Sequence, residues 1–183
     1  MPSPVTIAEL VERNKAYATK HVPLPYFSEF GNLEQHPPAV VVVTCADPRC
    51  IPETFLDLKS PETVVLRTAG GRVKPIFNDL LYLDGLLPLT SIMVIHHTDC
   101  GKSFMTDGEA RSALKTRLPD VKEIDSMEFG AFKDSTLEQS VKDDILFLRE
   151  APLLRRELGE ASVGFTYDVK TGGLTPVQVS NKK

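Results

Sequence analysis

The sequence has no long hydrophobic run. Its longest unbroken aliphatic segment is residues 39–43, far short of the ~20 apolar residues that a membrane-spanning helix requires. Near the amino end, Glu9 and Glu12 interrupt the pattern, so neither the apolar core of a secretory signal nor an acid-poor transit peptide is recognisable there. We therefore expect a cytoplasmic protein that does not bind membranes.

Cysteine is scarce, and basic residues are not in excess. The cysteines number three, which argues against a disulfide framework and favours reduced thiols that serve a metal or catalysis. The 21 Lys and Arg residues are outnumbered by 25 Asp and Glu, with a formal net charge of -4. This balance provides no electrostatic footprint for nucleic acid, so we expect a small-molecule substrate and no nucleic-acid partner.

The composition is that of an ordinary globular protein. A chain of 183 residues with 42% hydrophobic and 25% charged residues can bury a substantial core. We predict a single domain over residues 1–183, with an N-terminal helix and connection in residues 1–37 and an α/β core in residues 38–183. Apolar residues at helical spacing indicate an amphipathic helix over residues 7–17, and prolines indicate an irregular connection over residues 21–38.

The core pattern alternates strands with helices. Residues 39–44 (AVVVVT) form a continuous, mostly β-branched run, typical of a strand covered on both faces in a parallel sheet. The other predicted strands are residues 63–66, 91–95, 162–169 and 175–179, and the predicted helices are residues 52–58, 76–87 and 137–148. The alternation predicts an α/β fold with a mostly parallel β-sheet flanked by helices.

Candidate metal ligands follow two of the predicted strands. Cys45 comes directly after the first strand, and His97 and Cys100 follow the third. Because ligand sites form at the carboxyl ends of parallel strands, these side chains should share one crevice. Two thiolates and an imidazole suit Zn²⁺, and a fourth position stays open for water or substrate, as in catalytic sites. Either motif alone is weak, since a cysteine at a strand end is usually a small buried hydrophobe.

Together the two motifs carry a family resemblance. Cys45-x-Asp47-x-Arg49 and His97-x-x-Cys100-Gly101 resemble the C-x-D-x-R and H-x-x-C-G fingerprints of the β-class carbonic anhydrases. Residues 67–72 (RTAGGR) look like the glycine-containing stretch between those fingerprints, and the resemblance is strong over residues 41–103. It implies a β-carbonic anhydrase-like domain with a Zn²⁺ cofactor, assembled as a homodimer or a dimer of dimers in which the N-terminal helix reaches across the partner.

The resemblance also implies roles for residues beside the metal. When Arg49 clamps Asp47, the carboxylate stays off the metal; in the family the same aspartate can swing onto zinc and close the site. We therefore expect catalytic roles for both residues, an open state at higher pH and inhibition at lower pH. Gly70 and Gly71 would let the backbone approach the substrate pocket closely, or would only form a turn.

Two substrates follow from the resemblance. The first is carbon dioxide, hydrated to bicarbonate by a zinc-bound hydroxide, because zinc lowers the pKa of its bound water to roughly 7. The second is carbonyl sulfide, hydrolysed to hydrogen sulfide and carbon dioxide at the same site. Two features resemble the small subgroup of the family that includes carbonyl sulfide hydrolases. The chain is short, and it has Pro48 where many members have serine. A non-catalytic zinc-binding module is less favoured, because it would not need Asp47 and Arg49.

Other polar residues have weaker claims to a role in the site. Cys50 is expected to be structural, and His21 and His36 are expected to be solvated. Strand alternation should turn His96 to the face opposite His97, towards packing or an outer hydrogen bond. Several apolar residues are candidates to line the cavity, although core packing is the safer assignment for each: Phe55, Leu66, Ile76, Phe77 and Leu81.

Overall fold

The computed structural model describes residues 4–31, 40–59 and 62–180. By its contacts the chain divides into two compact units, Met1–His36 and Pro37–Lys183. The predicted single-domain organisation stays a prediction. Among the described residues, none of the helices combines the length and the apolar character that a bilayer crossing requires.

The described residues of the first unit contain the helix α1 (Ile7–Ala18), close to the predicted range. A capping box starts it, in which the Thr6 hydroxyl accepts from the backbone of Glu9 and the Glu9 carboxylate accepts from the backbone of Thr6. The apolar residues of α1 are exposed, with Ile7 at 82%. His21 lies beyond the helix, with Nδ1 3.0 Å from the Tyr17 hydroxyl; His36 lies outside the described residues.

The second unit is built on a five-stranded sheet in the order β2-β1-β3-β4-β5. Its strands are β1 (Val40–Cys45), β2 (Thr63–Thr68), β3 (Ser91–His97), β4 (Val163–Tyr167) and β5 (Leu174–Val177). Strand β1 pairs in parallel with both β2 and β3, and β4 adds in parallel to β3. Only the pairing of β4 with β5 is antiparallel among the described strands. The predicted α/β fold with a mostly parallel sheet is confirmed.

The helices of the second unit connect and cover the strands. They are α2 (Pro52–Phe55), α3 (Phe77–Leu86), α4 (Asp107–Arg117), α5 (Leu137–Glu150) and α6 (Arg156–Glu160). The first of these is shorter than predicted and ends before Asp57, which takes a positive φ of 51° and so leaves the helical region. Helix α5 buries Val141, Ile145 and Leu148, the apolar face that the sequence predicts.

Helix α5 packs very closely on β4. A Cβ atom on Gly164 would lie 2.3 Å from Cγ1 of Val141 and 3.2 Å from Cγ1 of Ile145. No larger side chain fits there without displacing the helix. This contact fixes α5 on the sheet beside the strand ends that carry the candidate site.

Candidate metal centre

The structure brings the three predicted ligands together. Cys45 ends β1, and His97 ends β3, the parallel strand paired beside it. Cys100 returns to the same edge through the short turn after β3, in which Asp99 takes a positive φ of 56°. The donor atoms of all three residues are buried and lie within 4.8 Å of one another.

The geometry of these donors fits a zinc ion. His97 Nδ1 lies 2.9 Å from the carbonyl oxygen of Thr98, an acceptor, so Nδ1 carries the proton and Nε2 presents a lone pair. That Nε2 is buried and makes no hydrogen bond among the described residues. The two sulfurs lie 3.9 Å apart, too far for a disulfide and close to the ~3.8 Å between two thiolates that bind one tetrahedral Zn²⁺ at about 2.3 Å.

Hydrogen bonds prepare Cys45 to be a thiolate. The Cys100 side chain has the largest effect and lowers the pKa of Cys45 well below that of an ordinary thiol; backbone amides add to it. The amide of Gly70 lies 3.2 Å from the Cys45 sulfur, and the amide of Asp47 lies 3.4 Å from it. The same pairing with Cys45 raises the pKa of Cys100. Only a deprotonated thiol ligates a metal, and the two amides that donate to the Cys45 sulfur stabilise that form.

Arg49 holds Asp47 in a bidentate ion pair. Its Nε donates to Oδ1 at 3.0 Å and its NH2 donates to Oδ2 at 2.8 Å. These hydrogen bonds hold the pKa of Asp47 well below its ordinary value. The side chain of Asp47 is only 15% exposed, and its Oδ2 lies 3.8 Å from His97 Nε2. The carboxylate therefore faces the metal donors, while the guanidinium of Arg49, whose side chain is 46% exposed, restrains it from the solvent side.

Two residues that support this pair were not assigned this role by the sequence. Asp99 accepts from Arg49 NH1 at 2.8 Å through its carboxylate and from NH2 at 2.9 Å through its carbonyl. Arg67 donates to the carbonyl oxygens of Cys45, Asp47 and Cys50, and so holds the loop between β1 and α2. Asp99 and Arg67 lie far in sequence from the residues they contact, so the sequence does not predict these contacts.

The glycine segment forms a tight turn against the donors. Gly70 and Gly71 take positive φ angles of 79° and 72°, a region that side-chain-bearing residues rarely adopt. Gly70 lines the cavity beside the sulfurs, and a Cβ atom there would lie 2.6 Å from Cγ of Lys102. Gly71 lies behind it, where a Cβ atom would lie 2.9 Å from the Ile95 carbonyl oxygen. Both glycines are needed for close backbone approach, and Gly70 contacts the cavity.

A cavity of about 400 Å³ opens beside Cys45, Asp47 and Cys100. Its remaining wall is largely apolar and is formed by Ala46, Ala69, Gly70, Gly101, Lys102, Met105, Ala110, Phe129 and Ala131. The Asp107 carboxylate accepts from the amides of Phe129 and Ala131 at 2.9 and 2.8 Å, and Lys102 donates to the Phe129 carbonyl. These bonds fix an apolar wall opposite the metal donors. Cys50 stands apart from the cavity lining, with its sulfur 3.2 Å from the Thr44 hydroxyl.

Comparisons with known proteins show the family to which this chain belongs. A family model described as carbonic anhydrase matches residues 40–174. The chain belongs to the β-carbonic anhydrase family, and it is an enzyme of the carbonic anhydrase type. Beta-carbonic anhydrase 1 of Mycobacterium tuberculosis is 28% identical over 155 residues, which cover 83% of this chain and 91% of the relative.

Solved structures share the fold. The carbonic anhydrase of Streptococcus mutans superposes with a TM-score of 0.80 at 30% identity, over 97% of this chain and 100% of the other. A carbon disulfide hydrolase superposes with a TM-score of 0.67 at 20% identity, over 94% of this chain and 90% of the other. At that identity the second likeness concerns the fold alone.

Proposed function

We propose that this chain hydrates carbon dioxide to bicarbonate, with Zn²⁺ held by Cys45, His97 and Cys100. The observation that carries the proposal is a buried group of two sulfurs and one imidazole nitrogen within 4.8 Å of one another, in which the nitrogen has no hydrogen-bond partner among the described residues. Bound there, Zn²⁺ would supply a Lewis acid that makes hydroxide available near neutral pH. Membership of the carbonic anhydrase family supports the same assignment.

The chain's own residues orient the reaction. Asp47 is held by Arg49 at the rim of the donor group, where its carboxylate accepts a hydrogen bond from the attacking nucleophile. The apolar wall around Met105 and Phe129 admits a small linear molecule and limits competing water. Carbon dioxide has that shape and polarity. Carbonyl sulfide also does, so it is the competing substrate in the test.

The test measures both reactions on the zinc-loaded protein. Stopped-flow hydration of carbon dioxide and release of hydrogen sulfide from carbonyl sulfide should be compared in wild type and in Asp47→Ala. We expect hydration to be the faster reaction in wild type, and the substitution to lower it by about 100-fold or more, the lower range of proton-transfer contributions.

Three outcomes would contradict this assignment. Faster turnover of carbonyl sulfide than of carbon dioxide would make carbonyl sulfide the assigned substrate. A zinc-bound protein that converts neither gas would indicate a non-catalytic module. Rates unchanged in Asp47→Ala would remove the role of Asp47. Glu53→Gln serves as a control, because Glu53 is an exposed carboxylate on α2 outside the cavity lining.

We further propose that two copies of the chain associate through α1. The support is its apolar side, where Ile7, Leu10 and Val11 are 82%, 50% and 48% exposed, more than a folded surface usually leaves in one stripe. Sedimentation of the purified protein should give twice the chain mass, and Leu10→Asp should shift it toward the single chain. A monomeric wild type at micromolar concentration would contradict the proposal.

A further inference from the structure

The glycine turn is pressed against the candidate ligand Cys45. Its Gly70 amide donates to the Cys45 sulfur at 3.2 Å. Gly71 is wedged between the ends of β1 and β3, since a Cβ atom on it would lie 3.3 Å from the Cys45 nitrogen and 2.9 Å from the Ile95 carbonyl oxygen. The Gly70 N–H can point at the Cys45 sulfur only if the turn is held in this position, so the residues that hold the turn affect this hydrogen bond.

His96 holds the turn from behind. Its side chain is fully buried on the opposite face of β3 from His97, as strand alternation predicts. Nε2 lies 3.2 Å from the Gly71 carbonyl oxygen and 3.0 Å from Oδ2 of Asp144. Both neighbours are acceptors, so Nε2 carries a proton; it donates to the Gly71 carbonyl oxygen, and the Asp144 carboxylate lies close to it without an aligned hydrogen bond. Nδ1 lies 2.7 Å from the Ser140 hydroxyl on α5.

Arg72 holds the other end of the turn. It directly follows Gly71, and its Nε lies 3.4 Å from Oδ2 of Asp144. Its NH1 donates to the Ser140 carbonyl oxygen at 3.0 Å. The Asp144 carboxylate therefore contacts both the imidazole of His96 and the guanidinium of Arg72. All three side chains are 14% exposed or less.

Such a network is a poor way to gain stability. Removing ionic groups from water is costly, and well-packed apolar residues of the same volume are often as stable or more stable. Asp144 Oδ2 also makes no well-aligned hydrogen bond within the described part of the chain, although two cationic or proton-donating groups face it. What the three residues do achieve is to tie helix α5 to both ends of the glycine turn.

We propose that His96, Asp144 and Arg72 are positioning residues that hold the Gly70–Gly71 turn against Cys45 and thereby strengthen metal binding there. The inference rests on the proposed function, because it requires a metal at Cys45, His97 and Cys100. None of the three positioning residues is among the residues that line the described cavity. Arg72 and His96 are tied to the turn itself, and His96 in addition directly precedes the candidate ligand His97 in the chain.

Metal binding, rather than activity, tests the inference. Affinity for Zn²⁺ should be measured by competition with a chromophoric chelator, and the sulfur-to-metal charge-transfer absorption should be recorded on Co²⁺-substituted protein. We expect His96→Leu and Asp144→Asn to bind Zn²⁺ about 10- to 100-fold more weakly, as for loss of other groups that orient a ligand. Both should also shift the charge-transfer band.

Two further variants separate positioning from folding. His96→Gln should recover part of the affinity, because its amide can donate to the Gly71 carbonyl. Asp143→Asn is the matched control, since Asp143 is the exposed neighbour of Asp144 and, within the described part of the chain, accepts a hydrogen bond from Gln139 one turn earlier; it should behave as wild type. Circular dichroism reports whether each variant is folded.

The outcomes are distinguishable from those of the proposed function. Wild-type affinity and an unchanged Co²⁺ spectrum in folded His96→Leu and Asp144→Asn would overturn the inference alone. If His96→Leu does not fold, the nearly isosteric Asp144→Asn decides by the same criterion. A wild-type chain that binds no Zn²⁺ would remove the proposed function and this inference with it.

Discussion

Replacing His97 with alanine should leave the purified protein without bound zinc and without carbon dioxide hydration. The substitution removes the one nitrogen donor of the group and leaves two sulfurs 3.9 Å apart, which cannot by themselves provide the three protein ligands of a catalytic site. We expect the metal content to fall from about one ion per chain to near zero after dialysis against a weak chelator. Cys45→Ser and Cys100→Ser should have the same effect.

The third cysteine supplies the matched control. Cys50 is as buried as the two candidate ligands, but its sulfur pairs with the Thr44 hydroxyl and it is not part of the donor group. Cys50→Ser should therefore keep its zinc, measured by elemental analysis of the same preparations. Stoichiometric zinc retained by any of the three ligand variants would remove that residue from the site.

The proximity of Cys45 and His97 was predictable from the strand pattern, and the two fingerprint motifs together added Cys100. A β-branched run without alternation marks β1 as a covered central strand, and parallel neighbours bring their carboxyl ends to one edge. Cys45 and His97 are the last residues of β1 and β3, so their proximity needs no knowledge of side-chain packing. The bidentate pairing of Asp47 with Arg49 is equally local, since the two residues lie two positions apart.

The walls of the cavity were not predictable in the same way. Phe129 and Ala131 come from an irregular segment without a periodic pattern, and their place depends on the distant carboxylate of Asp107. Phe55, a candidate for the cavity lining, instead stacks on Tyr167 with ring centroids 4.2 Å apart. Side chains on regular elements follow their periodicity, whereas those on loops follow tertiary hydrogen bonds that the sequence does not display.

The contacts of His96, Asp144 and Arg72 behind the glycine turn were also not predictable from the sequence. Strand alternation places His96 on the face opposite His97, but its partner Asp144 lies 48 positions later on α5. The helical pattern does distinguish it from Asp143, because Asp144 lies three residues after Val141 and four before Leu148 on the buried face, whereas Asp143 lies on the exposed side. What the pattern does not show is that His96 is its partner. The close approach of α5 at Gly164 holds that buried face against the sheet, where Asp144 meets His96.

Replacing Arg49 with glutamine should inactivate the enzyme while leaving its zinc in place. Without the guanidinium, the Asp47 carboxylate loses the bidentate bonds that restrain it, and its Oδ2 is already 3.8 Å from His97 Nε2. The carboxylate can then take the fourth position on the metal. We expect hydration to fall by on the order of 100-fold, which corresponds to the carboxylate being favoured there over water by about 2.7 kcal/mol.

The control for the effect of Arg49→Gln is a variant that also removes the charge of the Asp47 carboxylate. The double variant Asp47→Asn with Arg49→Gln lacks the Asp47 carboxylate that would close the site, so its Co²⁺ form should keep an exchangeable fourth position. Co²⁺-loaded Arg49→Gln should instead show altered d–d absorption that no longer responds to added anions. Arg49→Lys, which keeps the charge but loses the planar fork, should lie between wild type and Arg49→Gln. If Arg49→Gln hydrates carbon dioxide at the wild-type rate, Arg49 does not keep Asp47 off the metal.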